Sequence, residues 1–260
     1  MLIDLEPQAG LPLTINTDSY KFSFGDGLNV PSLRTRKLHE LDSVWANTLE
    51  CDDRVIYRYT SPLWLLEDAT LWERAGIGYG IVFFPAGTYG GEYVKSSGQY
   101  HAILPGHSAA TPEIYTVLVG QGHFLLQRST PPYEDITDAV MVDVSAGETF
   151  VVPPDYGHLQ INPTGGPLVF SYTVKNPLTS NYEPYRRFHG AMYYEMADAS
   201  ERFVFNPHYT RRLPLRIVKA AELQQLPFLG KKVDYAEIRR CLPKLGFVAN
   251  PQDFPVDAYL

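Results

Sequence analysis

Apolar and polar positions change their rhythm along the chain, and the changes mark out its organisation. Residues 1–34 are rich in Pro, Gly, Asp and Ser and hold no clear period, which predicts an extended arm packed on the body or on a second chain. In residues 38–50 (LHELDSVWANTLE), Leu38, Leu41, Val44, Trp45 and Leu49 recur at helical spacing and predict one short amphipathic helix. From Arg54 the period shortens. RVIYRYTSP, GYGIVFFPAGTYG, GEYVKSSGQYHAIL, EIYTVLVGQGHFLLQ, AVMVDVSAGETFVVPP and PLVFSYTV are Val-, Ile-, Tyr- and Phe-rich runs cut by Gly, Pro, Ser and Asp. Such a succession predicts short strands in an all-β sandwich or barrel. No stretch between residues 54 and 175 supports a long helix, and Gly120-Gln121-Gly122 between two apolar runs predicts a tight hairpin. Residues 176–215 are mixed, aromatic and Arg-rich, as expected of a covering segment with some strand. AAELQQL and DYAEIRRCLPKL then look helical, with Pro243 ending the second. The resulting division is an arm and short helix over residues 1–50, a barrel over 51–210 and a C-terminal helical extension over 211–260.

Composition narrows the function classes. The 260 residues are 45% hydrophobic, enough to bury a core without disulfides. The 18 tyrosines suit a partly polar pocket as well as strands. A net charge of −7 with no long basic run argues against a nucleic-acid partner. It also means that an anionic substrate needs local help from a metal, a Lys or backbone N–H groups. Cys51 and Cys241 form no CxxC pattern and read as reduced, buried thiols. The opening MLIDLEPQAG lacks a basic stretch followed by an apolar run, and no segment approaches the roughly 20 apolar residues of a membrane helix. The expectation is a cytoplasmic protein that does not engage membranes.

Three segments carry candidate chemistry: Gly98-Gln99-Tyr100-His101, Pro112-Glu113-Ile114-Tyr115, and Pro153-Pro154-Asp155-Tyr156-Gly157-His158 followed by Asn162. Alternate residues of a strand share a side, so Gln99 projects with His101, and Glu113 with Tyr115. Inside a closed barrel, His101, Glu113 and His158 would make a two-His, one-carboxylate set for one divalent ion (Fe²⁺, Mn²⁺, Zn²⁺ or Ni²⁺), with positions left open for substrate. Gln99 could add an amide oxygen. Glu113 heads a run too apolar for a solvated strand, so its carboxylate requires a partner. His107, in the small-residue loop PGHSAAT, is a candidate acid/base or substitute ligand. His123 reads as structural.

At these motifs the chain resembles the metal-dependent, cupin-type glucose-6-phosphate isomerases. Ser96-Ser97-Gly98-Gln99-Tyr100-His101, with Glu113 beyond it, stands in place of the family's Thr-x-Gly-His-x-His and later Glu. Pro153-Pro154-Asp155-Tyr156-Gly157-His158-Leu159-Gln160-Ile161-Asn162 matches Pro-Pro-x-x-x-His-x-x-x-Asn in full. TRKLHEL, DDRVIYRY, EIYTVLVGQGHFLLQ and VFNPHY resemble family segments in the same order, so the likeness covers roughly residues 35–210. The resemblance implies a cupin (jelly-roll-like) β-barrel and a metal on His101, Glu113 and His158. It also implies a substrate phosphate near Ser96 and Gly98, and Tyr115 facing the sugar. In addition it implies Glu113 as the base that moves hydrogen between neighbouring carbons, a sugar-phosphate substrate and a homodimer. Three features depart from the pattern: Gln99 replaces the first metal-binding histidine, the loop ILPGHSAATP is longer, and about 50 residues follow the last matching segment. The leading expectation is an aldose–ketose isomerase. Beside it stand a cupin isomerase, epimerase, dehydratase or oxygenase acting on another small molecule, and a non-enzymatic sugar-binding cupin.

Overall fold

The computed structural model describes residues 1–47, 52–198 and 200–254, so Cys51 lies outside the described residues. In chain order, β1 (Leu2–Asp4), α1 (Glu6–Ala9), β2 (Leu13–Asn16) and β3 (Lys21–Phe24) precede β4 (Leu33–Lys37), β5 (Val55–Thr60), α2 (Ala69–Ala75) and β6 (Ile77–Phe84). Two short strands, β7 (Thr88–Tyr89) and β8 (Glu92–Tyr93), lead to β9 (Tyr100–His101), β10 (Glu113–Val119), β11 (Gln121–Arg128) and β12 (Asp138–Ser145). Then come β13 (Thr149–Val152), β14 (Tyr156–Ile161), β15 (Leu168–Lys175), β16 (Ser180–Asn181) and α3 (Glu183–Arg187). The chain finishes with β17 (Tyr193–Glu195), β18 (Phe203–Phe205), β19 (Arg216–Lys219), α4 (Tyr235–Cys241) and α5 (Gly246–Ala249).

Two sheets carry the fold. One has six strands in the order β13-β10-β15-β6-β5-β4, and the other has four in the order β14-β11-β12-β19. They face one another as a two-layered jelly-roll-like sandwich and, among the described residues, do not join into one continuous ring of hydrogen bonds. Tyr115 and Phe170 of the first sheet pack on Phe124 of the second, with ring centroids 5.0 and 5.4 Å apart. The run IGYGIVFF reads as continuously apolar because β6 is buried on both faces. Val82 and Phe84 join the core between the sheets, while Ile77, Tyr79, Ile81 and Phe83 join a second core. That second core is completed by Leu5, Leu11 and Ile15 from the N-terminal segment and by Tyr235, Ile238 and Phe247 from the C-terminal one. Both ends of the chain therefore cover the outer face of the six-stranded sheet.

Several expectations change. The arm of residues 1–34 packs on the chain's own body, one of the two placements expected, but it is folded rather than aperiodic: β1, β2 and β3 form a small antiparallel sheet. The segment from Leu38 is a 3-10 helix, Leu38–Val44. Its buried residues Leu38, Leu41 and Val44 fall every third position, which matches a helix of three residues per turn. AAELQQL supplies only the 3-10 turn Ala220–Glu222, preceded by β19, which pairs in parallel with β12. Gly120 makes no hairpin. Both sides of β10 are taken by β13 and β15, and β11 pairs with β12 and β14, so Gly120 carries the chain from one sheet to the other. It does so at φ +83°, where a Cβ would lie 2.4 Å from the Pro167 carbonyl oxygen. α4 does stop just before Pro243, which sits in a 3-10 turn.

Candidate metal centre and cavity

Three strands deliver the candidate ligands. Gln99 pairs with His158, exchanging N–H···O bonds of 3.0 and 2.9 Å. This tie brings the segment before His101 against β14, while Glu113 opens β10 in the facing sheet. His101, Glu113 and His158 are buried, with exposures of 3, 2 and 1%. Their ligand atoms all lie within 4.8 Å of one another.

The proton positions follow from the outer partners. His101 Nδ1 donates to the Thr111 carbonyl at 2.7 Å, and His158 Nδ1 donates to the Tyr156 carbonyl at 3.3 Å. A carbonyl can only accept, so both rings carry a proton on Nδ1, and as neutral imidazoles they present an Nε2 lone pair inward. Each Nε2 lies 3.1 Å from the same oxygen, Glu113 Oε2. Yet His101 Nε2 and Glu113 Oε2 are buried without a hydrogen bond. Acceptors that converge in this way repel unless a cation or proton sits between them. The set fits a divalent metal: two imidazoles oriented by backbone carbonyls and one carboxylate. Burial raises the Glu113 pKa, and only positive charge on the imidazole side of the carboxylate, from ring protons or a bound cation, outweighs it and holds the carboxyl at about 2. Gln99 stands beside them, its side-chain amide 3.3 Å from His158 Nε2. With the amide turned about, its oxygen would face the same point.

Above this set lies a cavity of about 290 Å³, with Gln99, Glu113 and Tyr115 among its lining residues. Ser96 and Gly98 line it as well. The Ser96 hydroxyl accepts from the Gln160 N–H at 3.1 Å. Gly98 adopts φ +73°, and a Cβ there would strike the Tyr185 ring at 2.3 Å. The Tyr115 hydroxyl accepts from Gln160 Nε2 at 2.9 Å, and burial, then the neighbouring Glu113 charge, push its pKa well up. His107 is not brought to the cavity. Its N–H closes a turn onto the Leu104 carbonyl, in a loop that Gln252 touches through Gly106. Asn162 holds a turn by donating to the carbonyls of Pro85 and Gly166. His123 is structural, with Nδ1 2.8 Å from the buried Glu195. The sequence motifs missed Arg34, Tyr57, Gln160, Tyr172 and Lys175, which also line the cavity. Only Gln160 had a local signal, two positions on from His158 in the same strand.

A family model for glucose-6-phosphate isomerase (GPI) matches residues 36–212. The chain belongs to the glucose-6-phosphate isomerase family. The glucose-6-phosphate isomerase of Thermococcus gammatolerans is 37% identical over 89 residues, a stretch covering 34% of this chain and 41% of that one. Two solved structures are more remote. An oxalate oxidase is 19% identical with a TM-score of 0.31, over 45% of this chain and 49% of its own. Oxalate decarboxylase from Bacillus subtilis is 17% identical with a TM-score of 0.34, over 48% of this chain and 27% of its own.

Proposed function

We propose that this family member is a metal-dependent isomerase that interconverts an aldose phosphate and the corresponding ketose phosphate. One observation carries the reading: the buried, proton-free faces of His101, Glu113 and His158 converge beneath a polar cavity. A divalent ion there, with Gln99 as fourth ligand, would supply Lewis-acid polarisation of the substrate carbonyl. Glu113 is the only carboxylate among the described residues that line the cavity. It is therefore the group assigned to take a proton from one sugar carbon and return it to its neighbour, with no net oxidation. Tyr115, whose raised pKa keeps its hydroxyl protonated at neutral pH, would donate toward the substrate or toward Glu113. The hydroxyls and backbone of residues 96–98 lie along the wall assigned to the substrate's phosphate end.

The test is to incubate the metal-loaded protein with fructose 6-phosphate and a panel of other sugar phosphates in D₂O. Isomerisation of at least one, followed by NMR, is the expected result; no turnover of any of them contradicts the proposal. Glu113→Gln keeps a ligand oxygen but cannot take a proton. Metal retained with activity lost by 10²-fold or more, on the order of a general-base contribution, is the expected signature. A second reading follows from Gln99, where the family motif has histidine: the same centre could serve another small molecule. In that case Gln99→His would tighten metal binding without bringing sugar-phosphate isomerase activity.

A further inference from the structure

Two segments outside the candidate centre orient its histidines. His101 Nδ1 meets the Thr111 carbonyl at 2.7 Å, with the Thr111 hydroxyl 3.2 Å away, and His158 Nδ1 meets the Tyr156 carbonyl at 3.3 Å. Thr111 stands near the end of the loop between His101 and Glu113, and Tyr156 opens β14. The backbone ladder stops short of both. Pairing of β10 with β13 ends at Glu113 and Val152. Beyond it come Pro112 on one side and Pro153 and Pro154 on the other, and a proline has no N–H to extend a ladder. A side chain spans the gap instead: Asp155 Oδ1 accepts the Ala110 N–H at 2.9 Å. Ala110 precedes Thr111 and Asp155 precedes Tyr156, so this one bond joins the two orienting segments.

Asp155 makes that bond from a conformation that suits it poorly. The Tyr156 N–H closes a turn on the Pro153 carbonyl at 3.4 Å, with Pro154 second and Asp155 third at φ +67°. Third-position residues at positive φ are ordinarily Gly or Asn, and a residue with a Cβ is strained there where glycine is not. Strain of this kind persists where the surrounding structure holds it, and it gathers at functional sites. Glycine would relax the turn but leave the Ala110 N–H without its acceptor. Ala110 and Thr111 are buried, so water does not readily take that acceptor's place. The Ser129 N–H donates to the Asp155 carbonyl at 3.3 Å and fastens the turn to the end of β11.

We propose that Asp155 is a positioning residue of the metal centre. By holding Ala110 to the turn, it sets the separation of the Thr111 and Tyr156 carbonyls, and through them the convergence of the two Nε2 atoms. This rests on the metal half of the isomerase reading and on no choice of substrate. The test is a Co²⁺ titration of metal-free wild type, Asp155→Gly and Asp155→Asn. Affinity is read by competition with a chelator, geometry from the visible absorption of the bound Co²⁺, and stability from the thermal midpoint of the metal-free protein. Asp155→Gly is expected to bind Co²⁺ about tenfold or more weakly, as when an outer partner of a metal ligand is lost, with a changed absorption band. Its metal-free midpoint is expected to stay close to wild type, because relief of the turn offsets the lost bond. Asp155→Asn keeps an acceptor oxygen and tolerates positive φ, so it is expected to restore the wild-type affinity and spectrum. A Gly variant that binds Co²⁺ within twofold of wild type, whatever its midpoint, overturns the positioning role, and so does a loss in the Asn variant equal to that in the Gly variant. Wild-type protein that takes up no Co²⁺ overturns the metal reading as well, whereas wild-type binding beside an unaffected Gly variant leaves that reading standing.

Discussion

Gly157 has no room for a side chain: a Cβ there would lie 2.5 Å from the ring of Tyr100. That ring is fully buried, and its hydroxyl accepts from Gln127 Nε2 at 3.1 Å. The contact matters because Tyr100 sits between Gln99 and His101, and Gly157 precedes His158. A methyl group at 157 would push apart the two strands that deliver three of the four candidate donors. Gly157→Ala is expected to destabilise the fold by about 1–3 kcal/mol, as overpacking does, and to lower bound metal per chain measured by atomic emission. Unchanged metal content would mean that the spacing of these strands does not set the site. At this scale much was legible beforehand. Alternation placed Gln99 with His101 and Glu113 with Tyr115, and an acid heading an apolar run demanded a partner. The protons on His101 and His158 were not legible, because Thr111 and Tyr156 fix them through backbone carbonyls that no side-chain pattern encodes.

Among the elements, α4 is the clasp between the C-terminal segment and the barrel. The Tyr235 hydroxyl donates to Asp68 Oδ2 at 2.9 Å and accepts from Trp72 Nε1 at 2.8 Å and from the Leu65 N–H at 3.1 Å. Arg239 completes the group by pairing with Asp68 at 2.5 Å. Tyr235→Phe leaves a buried indole N–H, a backbone N–H and part of a buried carboxylate unpaired. A loss of about 2–3 kcal/mol is expected, read from the denaturation midpoint, with metal content unchanged. A variant as stable as wild type would show that the clasp is dispensable. The helical character of DYAEIRRC was visible in its spacing, but its docking site was not, since Asp68 and Trp72 lie more than 160 positions earlier. The hairpin expected at Gly120 failed for a related reason. A local Gly-x-Gly between apolar runs carries no information about which strands already occupy the flanks of β10.

Across the whole molecule, the six-stranded sheet has one face on the facing sheet and the other under the two chain ends. The four-stranded sheet is less protected at its margin. β19 is its last strand, and Ile217 there is 59% exposed. An open strand edge with an exposed apolar residue invites pairing with another chain, and we propose that a second copy covers it. Light scattering is expected to give twice the 29.3 kDa chain mass, and Ile217→Lys is expected to shift the protein toward monomer. A monomeric wild type would refute this assembly. No helix among the described residues is long and apolar enough to cross a membrane. The all-β character was legible because the strand runs are short and closely punctuated, and the family was legible because its second motif is complete from Pro153 to Asn162. The direct measurement of the central claim is the rate of conversion of fructose 6-phosphate to glucose 6-phosphate before chelation, after chelation and after a divalent ion is restored. Activity that vanishes with the chelator, returns with the ion and never returns in His158→Ala is the result this account requires. Conversion that survives complete metal removal, or no conversion by a protein with one ion bound per chain, would contradict it.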